Sequence, residues 1–184
     1  MTDEAKIVVV TGIQGAGKST VGRLLAEQFE RAAHIDADTV QSMIVSGEAW
    51  VTDTSGPGEK IQDEAARQLR LRLRNSCLLA RSFRKAGFTA VVGDIILGER
   101  WEHLREDLHG VPFYLVILAP DVGTVVERDA ARSYTVGAEW GRHLDRELRE
   151  TMAGLGLWID SSNLTPSETV DDVMRRLDEG LIES

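Results

Sequence analysis

Residues Gly12-Ile13-Gln14-Gly15-Ala16-Gly17-Lys18-Ser19 spell G-x-x-x-x-G-K-S, a pattern whose residue types suit one task, holding a polyphosphate. Glycines let the backbone curl until successive N–H groups point at one anion. A helix starting at the end of such a loop adds the positive end of its dipole. Lys18 then reaches the β- and γ-phosphates of a nucleotide, and the Ser19 hydroxyl can ligate magnesium. Gly12, Ile13, Gln14, Gly15, Ala16, Gly17, Lys18, Ser19 and the following Thr20 are the expected nucleotide-binding residues.

Carboxylates form the second set. Asp36 and Asp38 follow one short apolar run, Asp94 follows another, and Asp160 closes a third. A carboxylate beside a phosphate loop either deprotonates an attacking hydroxyl or holds a magnesium-bound water. Each acid also fits a helix cap or a solvated loop. Asp160 fits best as the residue that prepares the Ser161-Ser162-Asn163 turn.

The third set is cationic. Arg128 and Arg132 lie four apart on one helix face, and Arg142, Arg146 and Arg149 follow a glycine-containing segment from Ser133 to Gly141. Phosphoryl transfer spreads negative charge over the migrating group, and arginines flanking a mobile segment supply the compensating charge while excluding water. Ion pairing with Glu127, Glu139, Glu147 and Glu150 is the alternative use, favoured for Arg149. Arg67, Arg70 and Arg74 read as a solvated face.

These residues need a frame. Lys6–Thr11 is a β-branched run before the loop and reads as a buried strand. Val21, Leu24, Leu25 and Phe29 recur at helical spacing behind it. A second strand fits Ala33–Asp36, followed by a helix through Thr39–Ile44. An irregular stretch, 46–60, holds Gly47, Gly56, Pro57 and Gly58 together with Trp50. A long helix spans about Glu59 to Ala86, with a stripe of Leu69, Leu73, Cys77 and Ala80, and Gly87 ends it. Strands follow at Thr89–Gly93, Phe113–Leu118 and, more weakly, Gly156–Asp160. Thr165-Pro166-Ser167-Glu168 opens a last helix. The expectation is one α/β domain over 1–184, a five-stranded parallel sheet flanked by helices in three layers, with ligands at the carboxyl ends of its strands. The segments Ala49–Glu59 and Ser133–Gly141, carrying Trp50 and Trp140, are expected to cover the site and close on ligand.

Composition narrows the class. The 184 residues carry a formal net charge of −9, against a general nucleic-acid surface. Cys77 is the single cysteine, so an internal disulfide and a cysteine-based zinc cluster are excluded, and its apolar stripe marks it as a core residue. The acidic start Met1-Thr2-Asp3-Glu4 resembles no signal peptide, and no apolar run reaches spanning length, so a soluble cytoplasmic protein is expected. No pattern speaks to oligomeric state.

The chain resembles the small-kinase branch of phosphate-loop proteins, which includes adenylate, gluconate and shikimate kinases and chloramphenicol phosphotransferase. Ile35-Asp36-Ala37-Asp38 is similar to the acceptor-side aspartate motif of that branch. Val92-Gly93-Asp94-Ile95-Ile96-Leu97-Gly98 looks most like the chloramphenicol phosphotransferase group, although Gly93 replaces the first of two expected acids. Arg128-Asp129-Ala130-Ala131-Arg132 resembles the R-x-x-x-R of adenylate kinases, where the first arginine packs on adenine and the second contacts phosphates. There is no N-K-x-D guanine motif, and Asp53-Thr54-Ser55-Gly56 matches D-x-x-G without a preceding strand.

The resemblance implies a three-layer kinase fold with an acceptor-side loop at 46–60 and a short lid at 132–142. It implies an ATP- and magnesium-dependent kinase that phosphorylates a hydroxyl of a small molecule. On that reading Asp38 is the base, Lys18 bridges β and γ oxygens, Arg132 steadies the transferred group, and Asp94 orients metal-bound water beside Ser19. Arg128 stacks on the nucleobase, and Asp36, Asp38 and Arg142 face the acceptor. An alcohol suits a general-base aspartate better than an acceptor phosphate, which it would repel. Two alternatives remain open: a nucleotide-dependent switch or assembly ATPase with no acceptor, and a toxin-like kinase of nucleotide sugars.

Overall fold

The computed structural model describes residues 4–50, 63–125 and 138–183. Strand β1 (Ile7–Thr11) leads through the phosphate loop into helix α1 (Lys18–Ala26). Strand β2 (Ala32–Asp36) runs directly into the short helix α2 (Ala37–Gln41). Helix α3 (Asp63–Lys85), β3 (Thr89–Gly93), helix α4 (Glu99–Asp107) and β4 (Phe113–Leu118) follow. Helix α5 (Ala138–Thr151), β5 (Leu157–Ile159) and α6 (Pro166–Arg176) complete the main frame.

The five strands pair in the order β2-β3-β1-β4-β5, all parallel. A short 3-10 turn (Leu177–Gly180) then delivers β6 (Leu181–Ile182), which pairs antiparallel with the start of β4. The expected five-stranded parallel sheet is present, with this sixth strand added at one corner. β1 and β3 are buried on both faces, which is why they read as continuous apolar runs rather than alternating ones.

Side chains of successive strand residues divide between two cores. Ile7 and Val9 pack with Leu73 and Cys77 of α3, Trp101 and Leu104 of α4, and Leu144 and Leu148 of α5. Val8 and Val10 pack with Val21 and Leu25 of α1 and Val170 and Val173 of α6. Those are the three layers. Cys77 is buried in the first core, and burial pushes its thiol up to about 12, in keeping with its apolar stripe.

Several boundaries differ from the expectation. The helix expected over Thr39–Ile44 begins at Ala37, because the Asp36 side chain caps it two residues earlier. Helix α4 is not expected from the sequence: only Trp101 and Leu104 within it are buried, and the charged residues between them mask that spacing. Of the 46–60 loop, residues 46–50 are described, and Trp50 is exposed. Of the 132–142 lid, residues 138–142 are helical, so Trp140 and Gly141 belong to α5 rather than to a loop. Trp140 packs on the core and lies 5.5 Å from the His143 ring. The remainder of both segments, with Arg128 and Arg132, lies outside the described residues.

Candidate active site

The phosphate loop begins where β1 ends. Gly12, Gly15 and Gly17 adopt φ of 147°, 85° and 95°, values that favour glycine. At Gly12 the space is closed as well: a Cβ there would sit 2.4 Å from the Leu118 carbonyl oxygen of neighbouring β4. Gly17 serves as the N-cap of α1, and no side chain caps that helix, so its first amides stay available to an anion. Lys18 Nζ donates to the Ile13 carbonyl at 2.9 Å, lying across the loop. Ser19 and Thr20 are exposed at the same helix end.

The segment after β3 contributes the wall of the site. The Thr11 hydroxyl accepts from the Ile96 amide at 2.8 Å and donates to the Ile96 carbonyl at 3.1 Å. This ties that segment against the base of the phosphate loop. Asp94, two residues before Ile96, is buried to 1 % side-chain exposure. Its Oδ1 accepts from Arg72 Nη2 at 2.6 Å and from the Ile95 amide at 2.8 Å, and its Oδ2 accepts from Arg100 Nη2 at 2.6 Å. With both oxygens held by guanidinium groups, Asp94 anchors two arginines.

The two acids after β2 divide their work. Asp36 Oδ1 accepts from the amides of Asp38 and Thr39 at 2.9 and 3.3 Å, capping α2. Asp38 is the open one, with 74 % side-chain exposure, and its Oδ1 accepts from Arg72 Nη1 at 3.2 Å. Arg72 therefore joins Asp38 to Asp94 while itself only 6 % exposed. Burial pushes the Arg100 guanidinium down, against the opposing pull of Asp94.

Sequence reasoning misses Arg72 and Arg100. It singles out Arg67, Arg70 and Arg74 on the same helix as Arg72; Arg67 pairs with Glu64, Arg70 pairs with Glu106 and Asp107, and Arg74 has no ion partner among the described residues. The available signal is a row of polar residues at four-residue spacing, Gln68, Arg72 and Ser76, directly beside the Leu69–Leu73–Cys77 stripe. All three are buried. Gln68 accepts from the Ala49 amide at 2.7 Å and donates to the Gly47 carbonyl at 2.7 Å, and Gln41 donates to Gln68 at 3.1 Å. These side-chain amides fasten the start of the 46–60 loop to α2 and α3.

The other expected residues make no hydrogen bond or ion pair with Asp38, Arg72 or Asp94 among the described residues. Arg142 is exposed on α5 with no ion partner among the described residues. Arg149 pairs with Asp145 at 2.9 Å, an ion pair as its helical setting implies, though with a different acid. Asp160 accepts from the Ser162 amide at 3.0 Å and from its hydroxyl, preparing the turn after β5. Asp121 is held at about 2 by the Thr124 hydroxyl and amide.

A glycine-rich loop between β1 and a helix, in a parallel sheet ordered β2-β3-β1-β4-β5, defines a phosphate-loop nucleotide-binding domain. Residues 7–153 match the family model described as AAA domain, and the chain belongs to that family. A shikimate kinase of Psychrobacter arcticus is 42 % identical over 57 residues, which is 30 % of this chain and 30 % of that enzyme. Two solved structures share the whole fold. One is a sugar kinase from Janibacter, with TM-score 0.65 and 20 % identity over 95 % of each chain. The other is the tunicamycin resistance protein of Deinococcus radiodurans, with TM-score 0.67 and 18 % identity over 98 % of this chain and 99 % of that one. Among the described residues no helix is long and apolar enough to cross a membrane.

Proposed function

We propose that this protein is an ATP- and magnesium-dependent kinase transferring the γ-phosphoryl group to a hydroxyl of a small molecule. One observation carries the reading: a continuous chain of contacts runs from the phosphate loop to an open carboxylate. Thr11 at the loop's base holds Ile96, the nearby Asp94 holds Arg72, and Arg72 holds Asp38. Asp38 is the acid of this set that can meet a solvent-borne hydroxyl.

The loop amides and the N-terminus of α1 cradle the phosphates, and Lys18 exchanges the Ile13 carbonyl for β and γ oxygens. Ser19 is the residue that would hold magnesium, an ion carried otherwise by phosphate and water, whose charge offsets that developing on the γ-phosphoryl. Asp38 accepts the acceptor's hydroxyl proton as the acceptor oxygen bonds to the γ-phosphorus and the bond from that phosphorus to the β–γ bridging oxygen breaks, releasing ADP. Arg128 and Arg132 are assigned to nucleobase and transferred phosphate by resemblance, and Arg142 to the acceptor from its place at the end of the 132–142 segment.

The test is a mass-spectrometric screen of hydroxylated metabolites and antibiotics with MgATP, scored for the gain of one phosphate. The expected result is transfer to at least one class, lost in Lys18→Ala with the fold retained. Slow ATP hydrolysis without transfer to any of them would favour a switch or assembly ATPase.

A further inference from the structure

Arg72 is a surplus of donors in a place with few acceptors. Its guanidinium is buried, Nη2 serves Asp94 and Nη1 serves Asp38, while Nε is buried and has no hydrogen-bond partner among the described residues. Arg100 repeats the pattern: Nη2 serves Asp94 and Nε is buried without a hydrogen-bond partner among the described residues. Burying two guanidinium groups around one carboxylate carries a desolvation cost that the ion pairs must offset. A hydrophobic residue at position 72 would fill the space without an unpaired N–H group. It would lose one guanidinium partner of the buried Asp94 and the grip on Asp38.

We propose that Arg72 is a positioning residue for the acceptor-side carboxylate: locked by Asp94, which Arg100 pins from the other side, it fixes the direction in which Asp38 presents its free oxygen. The inference rests on the kinase reading, with Asp38 as base. A guanidinium is a rigid planar fork, so one end held at Asp94 fixes the other end in space. Asp38 stands on the five-residue helix α2 with its side chain largely in water, and without that grip its rotamers would be free. Arg72 Nη1 holds Oδ1, which leaves Oδ2 to meet a hydroxyl. The ammonium of a lysine would satisfy Asp94 as a point charge, yet it lacks the fork that reaches two carboxylates at once.

The experiment uses the full chain with MgATP and water as the phosphoryl acceptor, and compares wild type, Arg72→Lys, Asp38→Asn and the double variant. Arg72→Lys should keep its thermal midpoint near wild type and lower kcat about 10- to 100-fold, with KM for ATP changed less than about twofold, as expected when a reacting group is misdirected by about an ångström. In the Asp38→Asn background the same change should have no further effect, because Arg72 acts only through Asp38. Arg100→Gln, which leaves Arg72 and both of its carboxylates in place, should show the same dependence on Asp38 at smaller size. Equal losses from Arg72→Lys with and without Asp38, or full activity in Arg72→Lys, would overturn the positioning role while leaving the kinase reading standing. Wild-type protein that neither hydrolyses MgATP nor phosphorylates any screened acceptor would overturn both.

Discussion

Thr11 and Ile96 exchange two hydrogen bonds across 85 residues of sequence, the hydroxyl accepting from the Ile96 amide and donating to the Ile96 carbonyl. β1 and β3 are neighbours in the sheet, so their ends already lie side by side. The threonine converts that adjacency into a fixed register between the phosphate loop and the segment that carries Asp94. Thr11 is fully buried, so no water can substitute for it.

Thr11→Val keeps the shape and removes both bonds. It should destabilise the protein by about 2 kcal/mol, because two buried backbone groups lose their partner. Thr11→Ser should retain most of the stability. Chemical denaturation of the three proteins checks this, and equal midpoints for valine and threonine would show that the bonds contribute nothing.

Asp36 and Asp38 should separate cleanly in kinetics and stability. Asp36→Ala removes the α2 cap and should cost about 1 kcal/mol of stability. Asp38→Asn should leave stability unchanged and lower phosphoryl transfer by about two to four powers of ten. A paired measurement of melting and turnover reads both. Loss of turnover in a well-folded Asp36→Asn variant, with Asp38→Asn active, would reverse the assignment.

His34 gives stability a dependence on pH. Burial lowers its folded-state value below the ordinary 6.5, opposed by Asp36 and assisted by Arg23. The unfolded chain then takes up the proton first as pH falls, so the stabilisation is complete above 6.5 and is lost progressively below it. His34→Gln should show a smaller drop in denaturation midpoint between neutral and mildly acidic pH than wild type. Parallel curves for the two proteins would contradict this.

Cys77 should be inert in the native protein. Its thiol is buried in the core between α3 and the sheet and pushed up to about 12, so thiolate is scarce at neutral pH. Iodoacetamide at slightly alkaline pH should label the unfolded chain promptly and the folded one only at the rate of unfolding. Prompt native labelling would show that the first core opens locally.

Local signals are legible where one stretch of chain carries the whole message. Ile7, Val8, Val9 and Val10 form an unbroken apolar run because both faces of β1 are covered, and Gly12, Gly15 and Gly17 announce backbone that other residues resist. The capping box of Thr165 and Glu168 is likewise complete within four residues. Helix α4 and β6 escape such reading because their partners are remote: Trp101 meets Phe113, and Leu181 pairs with Tyr114.

The sequence by itself determined the fold class, the phosphate loop and the presence of acids at strand ends, since each follows from local conformational preference or from a short spacing. Only the tertiary structure decided which acid does what. Asp36, Asp38 and Asp94 are the same residue type in similar local settings, and they became a cap, an open carboxylate and a buried anchor according to what was folded against them. The deciding groups, Arg72 from α3 and Arg100 from α4, reach Asp94 from opposite sides in sequence. Charge pairing depends on distance in space, and a guanidinium on one helix has no local preference that records which carboxylate the sheet will bring to it.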